Sequence, residues 1–422
     1  MDISQQQLPQ ENDTEISRFS SGDENIGDSL LPDGFAEQVK GIMAELEMPT
    51  LDPLLTLDSK RELGRGGLAV VWEANDETLG RDVAIKSLLP QKRMNPEFIR
   101  RLLGEARATA QLEHPNIVPV YSLGIDDKLG VYFTMKKLDG ETLRNICRQL
   151  YFNNPDYVRD YPPSRLMTIF VKICQGMAFV HSRGVIHRDL KPENILVGKY
   201  GEVTIIDWGL IRKVRDELVL DDSRQGAPLA FTPKNTLSVG TQDTDENFDG
   251  TPRYMAPEQI TRRNRDLDCR CDIYALGVIL YELLTFRNPF SSLTDEAQIL
   301  DAVSNGRYLR PRQHRNGRGI SPELEAICLK AMSLKRSQRY ACVDDLIQEI
   351  YNAQSLLPIT AYRPSLFHKF RNLIKAYPFR SAIVLGILVA IAAATITIYV
   401  INALAMRDLT LEPGAIPPVF VL

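Results

Sequence analysis

Cysteine is scarce and scattered in this sequence, with six residues among 422. Only Cys269 and Cys271 lie close together, and the second close pair that a four-cysteine zinc site needs is missing. Small secreted domains stabilised by disulfides are dense in cysteine, unlike this chain. We therefore expect reduced thiols in a cytosolic domain that folds around an ordinary hydrophobic core.

An excess of basic charge is also missing, since the net charge is −4 at pH 7. This balance gives no case for a nucleic-acid-binding protein. Residues 1–57 hold twelve acidic and two basic residues and are rich in Gln, Asn and Ser, which predicts an acidic disordered segment. Within it, apolar residues recur at helical spacing from Phe35 to Met48. This pattern predicts a short helix that either docks on the folded domain or forms transiently in a solvated tail.

Polar residues that could take part in a chemical reaction are concentrated in two short stretches, residues 187–194 (HRDLKPEN) and residues 207–209 (DWG). Asn194 and Asp207 offer the oxygen ligands that Mg²⁺ prefers. Asp189 is a carboxylate that could accept a proton from a hydroxyl group, and Lys191 could steady a phosphate. Phosphoryl transfer needs such a set of groups: one to position the nucleophile, metal ligands, and cations around the migrating group.

A glycine cluster flanked by apolar residues occupies residues 63–72 (LGRGGLAVVW). It predicts a strand, a turn and a second strand whose backbone can approach phosphate oxygens closely. By itself, the cluster would equally suit an ordinary hairpin. The sequence VAIK, ending at Lys86, follows about 20 residues later, a spacing that suits a third strand with Lys86 facing nucleotide phosphates. Asn95 and Pro96 then predict the start of a helix that carries Glu97 and Glu105.

Together and in this order, the motifs resemble those of protein kinases over roughly residues 58–352, and the KPEN ending resembles the serine/threonine-specific branch. The resemblance implies an α+β fold of two lobes. The smaller lobe, residues 58–137, would hold an antiparallel sheet with one key helix, and residues 138–352 would form a larger helical lobe. It further implies ATP and Mg²⁺ as cofactors and transfer of the γ-phosphate to Ser/Thr hydroxyls of protein substrates.

The resemblance also implies roles for particular residues. Asp189 would orient the substrate hydroxyl and take its proton, and Lys191 would offset charge on the γ-phosphoryl group. Asn194 and Asp207 would hold Mg²⁺.

ATP binding would involve Lys86, paired with Glu105 in preference to Glu97, and the glycine-containing loop. The loop positions assigned to ATP are Leu63, Gly64, Arg65, Gly66, Gly67, Leu68, Ala69 and Val71.

Two positions depart from the kinase pattern. Ala69 stands where a third glycine is usual, and we expect it to stiffen the loop without inactivating it. Trp208 replaces the usual phenylalanine, and its larger ring could shift the balance between active and inactive loop positions. Two other functions stay open: a pseudokinase scaffold that binds a partner without turnover, and a metabolic kinase that acts on a small molecule.

An activation region of about 50 residues runs from Asp207 to the sequence APE at residues 256–258. Its part from 215 to 249 is polar and rich in Ser and Thr. Candidate sites of autophosphorylation are Thr232, Thr236, Ser238, Thr241 and Thr244. Arg188 could pair with a phosphorylated residue there, and two kinase domains could associate to phosphorylate each other in trans.

The resemblance extends to residues near the end of this region. It implies that Thr251 steadies Asp189 and fits a Ser/Thr substrate. It also implies that Asp272 braces the backbone of the catalytic loop and that Arg339 pairs with Glu258.

The N-terminus lacks the apolar core of a signal peptide. Near the other end, residues 382–401 are almost wholly apolar, and no charged residue occurs from Ser381 through Met406. Twenty helical residues span roughly 30 Å, the thickness of a bilayer core. We therefore expect a transmembrane helix at 381–402, a basic juxtamembrane linker at 353–380 and a short extracytoplasmic tail at 403–422. The basic linker predicts a cytoplasmic kinase domain by the positive-inside rule.

This arrangement, an N-terminal kinase domain with one C-terminal span, resembles the membrane-anchored, eukaryotic-like (Hanks-type) serine/threonine kinases of bacteria. Its expected location is the cell membrane, with the lipid bilayer as a partner through a single helix.

Overall fold

The computed structural model describes residues 32, 34–46, 57–209, 212–213, 250–261, 267–314, 319–362 and 378–409. Of residues 1–57, which were predicted to be disordered, residues 1–31, 33 and 47–56 lie outside the described residues, as do the five candidate phosphorylation sites. The chain divides into two compact units, Met1–Ile350 and Tyr351–Leu422.

A five-stranded antiparallel sheet forms the smaller lobe of the first unit. Its strands are β1 (Leu57–Arg65), β2 (Ala69–Asp76), β3 (Arg81–Leu88), β4 (Val120–Asp126) and β5 (Gly130–Lys136). Their order in the sheet is β1-β2-β3-β5-β4. The central strands are rich in β-branched and aromatic residues, which suit a sheet buried on both faces. The register places Lys86 of β3 between Val71 of β2 and Phe133 of β5.

Two helices pack in this lobe, α1 (Phe35–Glu45) and α2 (Pro96–Ala110). As the sequence predicts, α2 starts at Pro96 behind a capping asparagine, whose Oδ1 accepts a hydrogen bond from the Glu97 backbone N–H at 2.9 Å. The apolar side chains of α1 are buried against α2 and the sheet. Of the two alternatives for this segment, the structure therefore shows the docked helix.

The larger lobe is mainly helical. Its helices are α3 (Leu143–Tyr151), α4 (Pro155–Asp160), α5 (Pro163–Ser182), α6 (Pro257–Ile260), α7 (Arg270–Thr285), α8 (Glu296–Asn305), α9 (Pro322–Ala331) and α10 (Val343–Gln354). Short strands β6 (Gly140–Thr142), β8 (Ile195–Gly198) and β9 (Val203–Ile205) form one small antiparallel sheet, and β7 (Val185–Ile186) pairs with β10 (Arg212–Lys213). The predicted two-lobed α+β kinase fold is confirmed.

The core of the larger lobe is built around α5 and α7. The apolar face of α5 is buried, with Phe170, Ile173 and Met177 fully inaccessible. Helix α7 is buried along nearly its whole length. The segment that follows α5 therefore starts from a fixed support, and it carries Asp189, Lys191 and Asn194.

The second unit contains one long helix, α11 (Pro378–Leu409), which includes the segment predicted to span a membrane. The side chains of residues 378–385, 388 and 405–409 lie outside the described residues. Within the part of the chain that the structure describes, no helix was found that is long and apolar enough to cross a membrane.

Candidate active site

Lys86 lies at the centre of an ionic cluster between the two lobes. Its Nζ is 2.5 Å from Glu105 Oε1 on α2 and 3.0 Å from Asp207 Oδ1, which follows β9. Glu105, and not Glu97, is therefore the carboxylate of α2 that contacts Lys86. Three residues that are far apart in the sequence meet here because the sheet, α2 and the helical lobe each contribute one.

The electrostatics of this cluster favour the charged forms of Lys86 and Asp207, whereas burial raises the pKa of Glu105. Burial works against the Lys86 ammonium, but the carboxylates of Asp207 and Glu105 more than offset it and raise the pKa of Lys86. The same ammonium lowers the pKa of Asp207, because its attraction for the carboxylate is stronger than the opposing effect of burial. Asp207 thus stays ionised, and its side chain is about half exposed, at 47%. A carboxylate that is charged and still accessible is a suitable ligand for a hard cation.

The glycine-containing loop joins β1 to β2, the strand in which Val71 pairs with Lys86. The loop closes through a hydrogen bond from the Gly66 N–H to the Ala69 carbonyl at 2.9 Å, and Ala69 itself is buried at the start of β2. Arg65 forms an ion pair with Glu62 at 2.6 Å on the outside of the loop. The loop residues are mostly exposed, so their backbone is open to a ligand.

Lys92 is a neighbour of this loop that the sequence analysis did not single out. Its Nζ donates a hydrogen bond to the Gly67 carbonyl at 2.6 Å and so ties the loop to the segment before α2. No sequence motif could have identified this contact, because it depends on the path of the chain between β3 and α2.

Asp189, Lys191 and Thr251 form a second cluster in the larger lobe. The Thr251 hydroxyl and backbone N–H donate to Asp189 Oδ1 at 2.9 and 3.0 Å. Lys191 Nζ lies 2.8 Å from Asp189 Oδ2 and donates to the Thr251 hydroxyl at 2.7 Å. Each of the three groups is thereby fixed by the other two, as the positioning of a reacting hydroxyl requires.

Asn194 connects the two clusters. Its side-chain nitrogen donates to the Asp189 carbonyl at 3.0 Å, which leaves its amide oxygen as the atom able to ligate a cation. Its backbone carbonyl accepts from the Ile206 N–H at 2.8 Å, immediately before Asp207. The two predicted metal ligands, Asn194 and Asp207, therefore belong to adjacent, hydrogen-bonded segments.

Asp272 fixes the backbone of the catalytic loop from α7. Its carboxylate, 1% exposed, accepts hydrogen bonds from the backbone N–H groups of His187 and Arg188, both at 2.9 Å. His181 Nε2 lies 2.8 Å from the same carboxylate. Burial raises the pKa of Asp272, but the His181 contact and these donors outweigh that effect and keep the pKa below its usual value. The loop can consequently hold Arg188 in the left-handed backbone region, with φ of 72°.

A second support holds the end of the activation region. Arg339 forms a two-pronged contact with Glu258, at 2.6 and 2.8 Å. The Arg339 side chain is fully buried, and such planar pairs fix orientation as well as position.

Trp208 fills a site in the core beside the metal-ligand position. It is 1% exposed, and its ring centroid is 4.5 Å from that of His187. Its indole N–H has no hydrogen-bond partner among the described residues. The larger ring is accommodated while Asp207 stays in contact with Lys86, so this structure has the loop position that brings the carboxylate into the cleft.

Comparison with known proteins agrees with this architecture. The family model for the protein kinase domain matches residues 57–352. The chain is 36% identical over 296 residues to the serine/threonine-protein kinase PknD of Protochlamydia amoebophila, which covers 69% of this chain and 29% of that protein. It is 35% identical over 295 residues to PknD of Chlamydia muridarum, covering 68% of this chain and 30% of that protein.

The chain thus spans about 30% of the length of these curated relatives. The family match covers more than half of this chain and includes all the residues of both clusters. The chain belongs to the protein kinase family.

Proposed function

We propose that this protein is a serine/threonine protein kinase that transfers the γ-phosphate of ATP to hydroxyl groups of protein substrates. The observation that carries the proposal is the contact set of Asp189, Lys191 and Thr251, which lies across the cleft from the Lys86 cluster. One carboxylate, one ammonium and one hydroxyl, all within 3.0 Å of a partner, make a site where a hydroxyl can be aimed at a phosphate.

The residues present fit Mg²⁺. Asp207 is ionised and accessible, the Asn194 side chain keeps its amide oxygen as an acceptor, and the two residues lie on adjacent, hydrogen-bonded segments. Mg²⁺ usually takes one or two protein ligands and completes its shell with water and substrate phosphates. When bound, the ion would neutralise charge on the phosphates.

The chain's own residues divide the remaining work. Lys86, held by Glu105, is placed to bind nucleotide phosphates, and the backbone of the glycine-containing loop covers them. Asp189 accepts the proton of the substrate hydroxyl as that oxygen bonds to the γ-phosphorus and the bond to the bridging oxygen of ADP breaks. Lys191 offsets the charge that develops on the transferred group.

Phosphotransfer by the purified protein tests the proposal. The full chain is incubated with Mg²⁺ and γ-labelled ATP, with a generic Ser/Thr acceptor protein and with a small-molecule acceptor mixture. Label on Ser or Thr of the protein acceptor, or of the chain itself, supports the proposal. Nucleotide binding without transfer supports the pseudokinase scaffold, and label found only on small molecules supports the metabolic kinase.

Autophosphorylation in residues 215–249 is part of the same proposal. Arg188 is adjacent to Asp189, and the backbone carbonyl of Arg188 accepts from Gln259 Nε2 at 3.1 Å, which links the catalytic loop to the segment that ends the activation region. Mapping of the phosphorylated residues after incubation with ATP would identify which of the candidate threonines and serines are used. Dilution of the enzyme during that incubation tests for transfer between two kinase domains, since a trans reaction slows in proportion.

We also propose that the protein is attached to the cell membrane through residues 381–402, with the kinase domain in the cytoplasm. The support is the uncharged run from Ser381 through Met406 and the basic residues that precede it. Deletion of residues 381–406 is expected to move the protein from the membrane fraction to the soluble fraction. A full-length protein found in the soluble fraction would refute the attachment.

A further inference from the structure

The outer face of α2 is covered by a helix from the chain's own N-terminal segment. Four side chains of α1 are buried: Phe35, Val39, Ile42 and Met43, with exposures between 0 and 4%. They recur three or four positions apart and so share one face of the helix. The intervening residues, such as Ala36 and Lys40, are exposed.

This apolar face packs into a groove with two walls. One wall is α2, through Ile99, Leu102, Leu103 and Ala106, and the other is the sheet, through Leu88, Val131 and Phe133. All eleven residues belong to one hydrophobic cluster. Helices α1 and α2 therefore share one apolar cluster with the sheet that carries Lys86.

Polar contacts fix α1 at both ends. Glu45 accepts hydrogen bonds from Arg100 of α2 at 2.7 and 3.1 Å. Arg107, two turns further along α2, donates to the Leu46 carbonyl at 2.5 Å. At the other end, Gln38 donates to the Met94 carbonyl at 3.4 Å, just before α2 begins. These contacts tie α1 to one register on α2.

Glu105 lies on α2, two residues after Leu103 and directly before Ala106. Its contact with Lys86 requires α2 to stay close to the sheet, because a helix moves as a rigid unit. In the structure, α1 is docked and the Lys86–Glu105 contact is formed at the same time. An isolated helix of eleven residues is only marginally stable in water, so α1 depends on this groove for its own structure.

We propose that α1 is an intramolecular positioning element that holds α2 where Glu105 reaches Lys86. Release of α1 then lowers kcat/KM for ATP. The activity readout rests on the proposed phosphotransfer, but the position of α2 can be measured without it. Because the docked helix accompanies the formed ion pair, its action is activating.

Two matched variants of the full chain test the proposal. Val39→Asp places a charge in the groove, and Ala36→Asp places the same charge on the exposed face of α1. Hydrogen exchange in residues 96–110 and kcat/KM for ATP are measured for both. In Val39→Asp, we expect faster exchange in α2 and a roughly tenfold lower kcat/KM, while Ala36→Asp matches the wild type. A synthetic peptide of residues 32–47, added in trans, should restore kcat/KM of Val39→Asp.

A loss of thermal stability in Val39→Asp, with unchanged kcat/KM per folded molecule or with no response to the peptide, would overturn the proposal, because α1 would then only support folding.

If Val39→Asp does not fold, the pair Glu45→Arg and Arg100→Glu replaces it. Each single change should accelerate exchange in α2, and the double change should reverse it; equal exchange in all three overturns the proposal. A wild-type protein that transfers no phosphate refutes the proposed function, whereas the exchange data still decide the role of α1.

Discussion

Among single side chains, Thr251 is the one shared by both catalytic partners, since it donates to Asp189 and accepts from Lys191. Thr251→Ala removes both contacts, and a hydrogen bond to a charged group contributes about 1.5–3 kcal/mol. We expect kcat to fall by roughly 10- to 100-fold, measured by phosphate transfer at saturating ATP. Thr251→Ser keeps the hydroxyl and should stay within a few-fold of wild type. Equal losses in both variants would contradict the role assigned to the hydroxyl.

Asp189→Asn tests the acceptor of the proton. The amide can still accept from Thr251 but cannot take a proton, so we expect kcat to fall by about 10²- to 10⁴-fold. The contacts of Thr251 with Oδ1 can be retained, but the ion pair with Lys191 is lost, so the thermal unfolding midpoint should fall by no more than a few degrees. Turnover close to that of the wild type would remove Asp189 from its assigned role.

The sequence identified these side chains because their spacing is fixed by local structure. Asp189, Lys191 and Asn194 lie in one loop. Strand β8 follows this loop directly and pairs with β9, and Asp207 comes just after β9. Contacts that depend on long-range packing were not predictable in the same way. The link from Lys92 to Gly67 is an example, and the choice of Glu105 over Glu97 came from family likeness alone.

At the level of helices and loops, the hydrogen bonds from the catalytic loop to Asp272 of α7 can be tested by mutation. Asp272→Ala leaves two buried backbone N–H groups and His181 without their acceptor. We expect a loss of about 3–5 kcal/mol in the free energy of unfolding at pH 7, measured by denaturant titration. Asp127→Ala, at an exposed position, serves as the control and should change little.

The pH dependence of this loss follows from the lowered pKa of Asp272. A carboxyl group whose pKa is lower in the folded state stabilises that state above its unfolded pKa of about 4. That contribution disappears as the pH falls through the folded pKa. The difference in stability between wild type and Asp272→Ala should therefore be largest near neutral pH and shrink below about pH 4. A difference that does not vary with pH would contradict this account.

Helices were predictable where capping and periodicity agreed, as for α2, with Asn95 and Pro96 at its start. Two local features were harder. Helix α4 contains none of the motifs interpreted from the sequence, and the structure shows Tyr157 donating to Glu141 at 2.9 Å. The docking of α1 was one of two open alternatives, because the groove that receives it is assembled from strands and a helix far along the chain.

For the molecule as a whole, nucleotide binding should appear as added stability. A ligand at 100 times its dissociation constant adds about 2.7 kcal/mol to the stability of the folded state. For a domain of 296 residues, this corresponds to a rise of about 4 °C in the unfolding midpoint, measured by calorimetry with ATP and Mg²⁺. The Asp207→Asn variant should show a smaller shift with Mg²⁺ and the same shift as wild type when EDTA is present. If the variant and the wild type show the same shift with Mg²⁺ as well as with EDTA, Asp207 is not a metal ligand.

The two-lobed architecture was expected because the motifs, in their order, resemble those of protein kinases. The placement of one lobe against the other did not follow from it, because the lobes meet through side chains such as Lys86 and Asp207 that are more than 100 residues apart.

The buried indole beside Asp207 can report on the position of that residue through its fluorescence. The chain has two tryptophans, Trp72 in β2 and Trp208. In a Trp72→Phe background, the remaining emission would come from a ring shielded in the core next to the proposed magnesium ligand. Any swing of the loop that carries Asp207 out of the cleft would expose that ring to water and shift its emission to the red, so the conformational state of the site could be followed in real time without a label.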